Sequence, residues 1–116
     1  MPHEENKKGG HKLEINLETV KRACRVDYDF EDDLIQLYMD ASQSVIKGAI
    51  TKNEKYSDFY TDNPAYTLAV IQLTKHYFDN RSSTTEFNLS KVPVGTLTLI
   101  QSLRQDYANW SASHGA

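Results

Sequence analysis

Apolar residues recur along this chain with a helical period in four separate stretches. In the first, Leu17, Val20 and Cys24 fall at i, i+3 and i+7 and share one stripe. Asn16, just before them, is a good N-cap because its side-chain oxygen can accept from an otherwise orphaned amide. Glu18 in the first turn and Lys21, Arg22 and Arg25 toward the other end suit the helix dipole. This helix is expected to stop at Arg25 or Val26. Asp27-Tyr28-Asp29-Phe30 then reads as a turn. Asp29 is placed to cap the next helix, with Asp32 three residues on, as in a capping box.

The second helix is expected to run to about Thr51 and carries two adjacent apolar stripes. One is Leu34, Tyr38, Ala41, Val45 and Ala49. The other is Ile35, Met39, Ser42, Ile46 and Ile50. Together they make a band wider than a surface helix needs. Such a helix is either central to its own domain or shared with a neighbour. Residues 52–62 lack a period and read as a loop that Tyr56, Phe59 and Tyr60 tack onto the body. Asn63-Pro64 is a strong helix start, and a third helix follows to about Asn80. Its apolar positions, Leu68, Ala69, Ile71, Leu73, Tyr77 and Phe78, spread round more than half its circumference. Residues 81–95 read as a long loop or short hairpin, since Phe87, Leu89, Val92 and Val94 alternate with polar residues. Connections of that length are commonly functional. Leu97, Ile100, Leu103 and Tyr107 predict a short fourth helix over 96–107, although Leu97-Thr98-Leu99 also suits the start of a strand.

The fold class predicted is therefore all-α, a small bundle of about four helices. The expected organisation is a flexible arm over 1–14, a helical domain over 15–108 and a tail over 109–116, with Trp110 the one large apolar side chain of that tail. A chain of 116 residues, 39% apolar and 25% charged, is sized for one domain and too apolar for a disordered one. No apolar run approaches the roughly 20 residues of a membrane span, so no membrane association is expected. The first twelve residues are polar, so no signal peptide is expected. One cysteine rules out an internal disulfide.

The net charge of −3 conceals a polarity. From Asp27 to Asp40 there are six acids and no Lys or Arg, and the rest of the chain sets 10 acids against 13 bases. A −6 belt thus sits on a +3 body. A duplex-DNA binder needs clustered bases, and here they are scattered. The basic strip Lys21, Arg22 and Arg25 reads either as a solvated helix face or as a match for the acidic belt of a neighbouring copy.

Candidate chemistry is sparse. Asp27-x-Asp29-x-Glu31 resembles the opening of a calcium loop, but such a loop needs Gly at position 6 and Glu at position 12. Asp32 and Tyr38 stand there. Cys24 lies on an apolar stripe and reads as a core residue. His76 has only Asp79 at ligand spacing, which does not make a metal site. There is no phosphate loop, GxSxG or HExxH. No catalytic, metal or cofactor-binding residue is assigned, and no enzyme activity is expected.

The order of motifs resembles a known family. Leu17-Glu18-Thr19-Val20-Lys21, Cys24-Arg25-Val26-Asp27 and Asp29-Phe30-Glu31-Asp32-Asp33-Leu34-Ile35 resemble the opening of the tailed-phage head–tail connector, or adaptor, proteins. His76-Tyr77-Phe78-Asp79-Asn80-Arg81 is similar to the close of that family's third helix. Val92-Pro93-Val94-Gly95, then Leu97, Ile100 and Gln101-Ser102-Leu103-Arg104, are similar to its P-x-G loop and closing Leu-Arg motif. The likeness spans about residues 15–105. Cys24 replaces a larger aliphatic residue, and the polar arm before residue 13 is longer than usual.

The resemblance implies a structural protein of a phage or prophage, often described as a DNA-packaging protein, that needs no cofactor. It implies a ring of about a dozen copies below the portal, in the virion neck, assembled in the host cytoplasm. Such a ring extends the DNA channel and docks the next neck, or stopper, protein, and DNA passes through without specific binding. The alternative is a packaging accessory that binds DNA directly. Lys21, Arg22, Arg25, Asp29, Glu31, Asp32 and Asp33 are the candidate subunit-interface or channel residues. Phe87, Leu89, Val92, Arg104, Tyr107 and Trp110 are the candidate portal or neck contacts.

Overall fold

The computed structural model describes residues 14–52, 58–81 and 92–113. They form four α-helices and no strand among the described residues: α1 (Leu17–Cys24), α2 (Asp32–Ile50), α3 (Pro64–Asp79) and α4 (Val94–Ser113). The expected all-α bundle is the fold observed. Residues 1–13 of the arm expected over 1–14, Tyr56, and the part of the loop or hairpin with Phe87 and Leu89 lie outside the described residues.

Local chemistry sets the first helix. Asn16 Oδ1 accepts from the Thr19 amide at 2.8 Å, the cap its position predicted. The helix ends as Arg25 turns left-handed at φ 62°. The Arg25 amide donates to the Arg22 carbonyl and the Val26 amide to the Lys21 carbonyl. This is the Schellman pattern, with Arg in the place glycine usually takes, and it buries Val26.

The start of α2 corrects an expectation. Glu31, not Asp29, holds the cap position, and no side chain bonds the helix's first amides. The Asp29 carbonyl accepts from the Asp32 amide, while the Asp29 carboxylate is drawn to Lys21 on α1. A full positive charge outcompetes an amide dipole for that carboxylate. For α3, Asn63 Oδ1 accepts from the Tyr66 amide at 3.2 Å, and Pro64 fills the first helical position as predicted. The Asn63 side-chain amide also donates to the Phe59 carbonyl, tying the short turn at 58–60 to the helix start.

Helix α3 is central and packs against the other three. Glu31 meets Arg81, Tyr38 meets Tyr77, and Gln43 meets Tyr66, so α2 and α3 run antiparallel. Thr96 bonds Gln72, and Tyr107 and Trp110 meet Phe59 just before α3, so α4 also runs antiparallel to α3. The fully buried centre is Val20, Ile35, Ile46, Ala69, Val70, Leu73 and Leu103.

The two stripes of α2 divide unequally. Ile35, Met39, Ser42, Ile46 and Ile50 are buried, and so is Tyr38. Leu34, Ala41 and Val45 are half-buried, and Ala49 is exposed. Within one chain the wide band is therefore only partly covered. No helix among the described residues is long and apolar enough to cross a membrane.

Helix α4 is longer than its spacing predicted, beginning at Val94 and continuing through residues 109–113, which read as tail. The cause is the aromatic cluster at its far end. The Phe59 ring lies edge-on to Tyr107 and to Trp110 at centroid distances of 5.2 and 5.6 Å. One buried ring anchors two successive turns, so the helix does not fray at Tyr107.

Candidate functional site at the first helix corner

The chemistry-bearing residues gather where α1 turns into α2. Lys21 points from α1 across the turn, with Nζ 2.9 Å from Asp29 and 2.8 Å from Asp32. The hydrogen bonds that Lys21 donates to Asp32 and then to Asp29 raise its pKa. The Asp29 side chain is 88% exposed, so this pairing leaves one face of its carboxylate open to other partners.

Glu31 has a separate set of partners. The Tyr28 hydroxyl donates to it at 2.6 Å. Arg81, just past the end of α3, reaches both of its oxygens, through Nε at 2.8 Å and a terminal nitrogen at 3.2 Å. The same guanidinium donates to the Phe78 carbonyl and lies 3.7 Å over the Phe78 ring. The Tyr28 hydrogen bond and then Arg81 hold the Glu31 carboxyl below the usual glutamate range. This bidentate clamp joins groups 50 residues apart in sequence and fixes the corner to the helix that carries the core.

Phe30 stands on this clamp. Its ring stacks on Tyr28, with centroids 4.3 Å apart and planes 17° apart, yet the residue is 83% exposed. Asp27 and Asp33 are also exposed and form no ion pair with another described residue. Beside the corner a shallow groove of about 510 Å³ is lined by Leu17, Glu18, Lys21, Arg22, Val26 and Asp27. Arg22 and Arg25 are exposed and likewise unpaired among the described residues.

The acidic belt is thus less bare than its composition. Two cations, Lys21 and Arg81, lie against three of its six carboxylates. The structure brings Lys21, Asp29 and Asp32 together within one chain and joins Glu31 to Arg81. It sets Arg22, Arg25 and Asp33 apart as exposed single charges.

Of the other predicted contact residues, Arg104 is exposed and Val92 half-buried. Tyr107 and Trp110 are half-buried in the Phe59 cluster. Tyr28 and Arg81 were not among the predicted site residues. Tyr28 looked like part of a turn, and nothing in the spacing pairs Arg81 with Glu31.

The remaining polar chemistry is quiet. Cys24 is half-buried, and desolvation, then Asp79, push its thiol pKa up, which disfavours a nucleophilic thiolate. Among the described residues no group of three or more His, Cys, Asp or Glu is placed to hold a metal ion.

Comparison with known proteins supplies the frame. No curated protein and no solved structure matches the chain. The profile of one family does match, over residues 14–104, and its description is phage gp6-like head-tail connector protein. The matched span takes in α1, α2, α3, the corner with its clamp, and α4 as far as the Leu103-Arg104 pair. A match over that much of the chain, on a four-helix body with every motif in order, places this protein in the phage gp6-like head-tail connector family.

Proposed function

We propose that this chain is the subunit of a ring that sits below the portal in the virion neck, extends the DNA channel and docks the next neck protein. Family membership across residues 14–104 is the observation that carries the reading. A ring is built from heterologous contacts, so each subunit must present two different surfaces. The partly covered flank of α2, with Leu34, Ala41 and Val45 half-buried and Leu37 exposed, is suited to one of them. Arg104 and the segment before α4 are suited to portal or neck contacts. The role needs no cofactor and no catalysis, and assembly takes place in the host cytoplasm.

DNA passes such a ring without specific binding. The exposed carboxylates Asp27 and Asp33, which have no ion pair to a described residue, repel phosphate, and contact with them releases no counterions. The competing reading, a packaging accessory that grips DNA, needs a cluster of exposed bases. A gel shift at low salt separates the two, because the accessory retards duplex DNA and the connector does not. The deciding experiment is co-sedimentation with the cognate portal ring. Stoichiometric capture in a closed oligomer of about a dozen subunits is expected, and absence of capture refutes the connector role.

A further inference from the structure

We propose that the free chain pairs with a second copy of itself through the open flank of α2, the two helices running antiparallel about a two-fold axis. That flank is self-complementary in size. Leu34, Leu37, Ala41, Ser44 and Gly48 recur at alternating steps of three and four, so they share one face of the helix. Leu37 is 57% exposed. Ser44 and Gly48 are exposed, and Leu34 and Ala41 are half-buried. A methyl group placed at Gly48 meets nothing within 4 Å. The flank therefore carries a protruding side chain at one position and an open seat three turns on. One chain cannot bring its own Leu37 to its own Gly48, because three turns of helix, about 16 Å, separate them. A two-fold partner makes that contact twice. Setting Leu37 against Gly48 of the second copy also sets Ala41 against the second copy's Ser44, so each larger side chain faces a smaller one.

The charges along the same flank select the direction. Asp33, Asp40 and Lys47 are spaced by seven and share one edge of it, and Lys52 stands just past the helix end. All four are exposed, and none makes an ion pair with a described residue. Asp40 accepts from Gln36. The Lys47 ammonium lies 5.1 Å from the centre of the Tyr60 ring and 5.8 Å from that of Tyr66. Neither contact neutralises a charge. Acids thus border the first part of the flank and bases its end. With Leu37 set against Gly48, Asp40 of one copy comes within half a turn of the level of the other copy's Lys47. Asp33 comes beside the end of the other copy's helix, where Lys52 stands. The two-fold axis repeats both pairings. A parallel arrangement sets acid end beside acid end and basic end beside basic end, which costs energy. A second copy in antiparallel register is the occupant that matches this flank in both shape and charge.

This dimer is a state of the free chain and does not rest on the ring reading. Where a ring forms, the flank has to part from its partner copy first, so the pairing holds unattached subunits in reserve and keeps Leu37 out of water. A contact of a few short layers belongs to the small, transient class. The test uses the full chain. Sedimentation from roughly 1 μM to 1 mM, the range suited to such contacts, is expected to show monomer passing to dimer. Leu37→Ser, which leaves the core untouched, should raise the dissociation constant about tenfold or more. Asp40→Lys and Lys47→Asp should each raise it about tenfold. Mixed one to one, those two should recover the parent value, because both pairings between positions 40 and 47 then join an acid to a base. In a Cys24→Ser background, Leu37→Cys protein is mixed with Gly48→Cys protein of different mass and treated with a short bis-maleimide. The mixed cross-link is expected to exceed either self-link.

A chain that stays monomeric across that range overturns the pairing. So does a self-link between two Leu37→Cys copies that exceeds the mixed link, since that is the mark of parallel helices. A dimer left unchanged by Leu37→Ser and by both charge variants is formed by another surface and refutes this one. A monomer that the portal still captures refutes the dimer and leaves the connector reading standing. A dimer with the mixed cross-link that no portal captures upholds the pairing and refutes the connector.

Discussion

Replacing Phe59 by alanine tests the aromatic cluster that ties the end of α4 to the turn before α3. Phe59 is 7% exposed and touches three rings, Tyr60 at 5.3 Å, Tyr107 at 5.2 Å and Trp110 at 5.6 Å. Truncating a buried Phe costs about 3–5 kcal/mol, counting lost transfer energy and the cavity left behind. Native domains of this size hold only about 5–15 kcal/mol in total, so the variant should be folded but weakened. With a urea slope of about 1–3 kcal/mol per molar, the unfolding midpoint should fall by about 1 M or more.

The loss should also have an address. Trp110 is the protein's one tryptophan, so its emission reports this cluster alone. The native emission maximum should move to the red, and amides of residues 107–113 should lose more protection than the global fall in stability accounts for, while those around Leu73 lose only that much. Phe59→Leu keeps most of the volume and should cost less than about 1.5 kcal/mol. A Phe59→Ala variant within about 0.5 kcal/mol of the parent, with unchanged Trp110 emission, would refute the claim that Phe59 anchors α4.

Two further expectations concern the helices beside the site. Gly48 lies in α2, and a methyl group placed there meets nothing within 4 Å. Gly48→Ala should therefore stabilise the monomer by about 0.5–1 kcal/mol in thermal unfolding, and a destabilised variant would contradict the open space. Glu31 titrates below its ordinary range in the folded chain. Its folded pKa is lower than its unfolded one, so its contribution is present above the unfolded value and is lost as pH falls through the folded value. Glu31→Gln should flatten that acid limb of a stability–pH curve, and an unchanged limb would show that the clamp does not contribute.

Much of the architecture was legible because it is written locally. Asn16 and Asn63-Pro64 start helices by bonding amides three residues away or by fixing one φ angle, and neither needs the rest of the fold. The stripe Ile35, Met39, Ser42, Ile46 and Ile50 is buried as its period predicted. The expected Asp29 cap was lost because Lys21, eight residues back, competes for the same carboxylate, and local helix rules do not weigh that choice. The end of α4 was misplaced for a related reason. Residues 109–113 carry little apolar signal of their own, and their helix is held by a ring from the turn at 58–60.

For the candidate site the division falls in the same place. The sequence alone determined the helical class, the family likeness and the −6 belt with its neighbouring arginines, since composition, period and motif order are properties of the chain read in line. Tertiary structure alone decided which charges pair among the described residues. Packing α3 against α2 carries Arg81 to Glu31 across 50 residues, and the α1 turn carries Lys21 to Asp29 and Asp32. Charge pairing depends on distance through space, and the chain sets that distance only once its apolar faces have packed. The run of acids is therefore, in the folded chain, a clamp, a paired lysine and a braced aromatic ring, with Asp27 and Asp33 making no ion pair to a described residue.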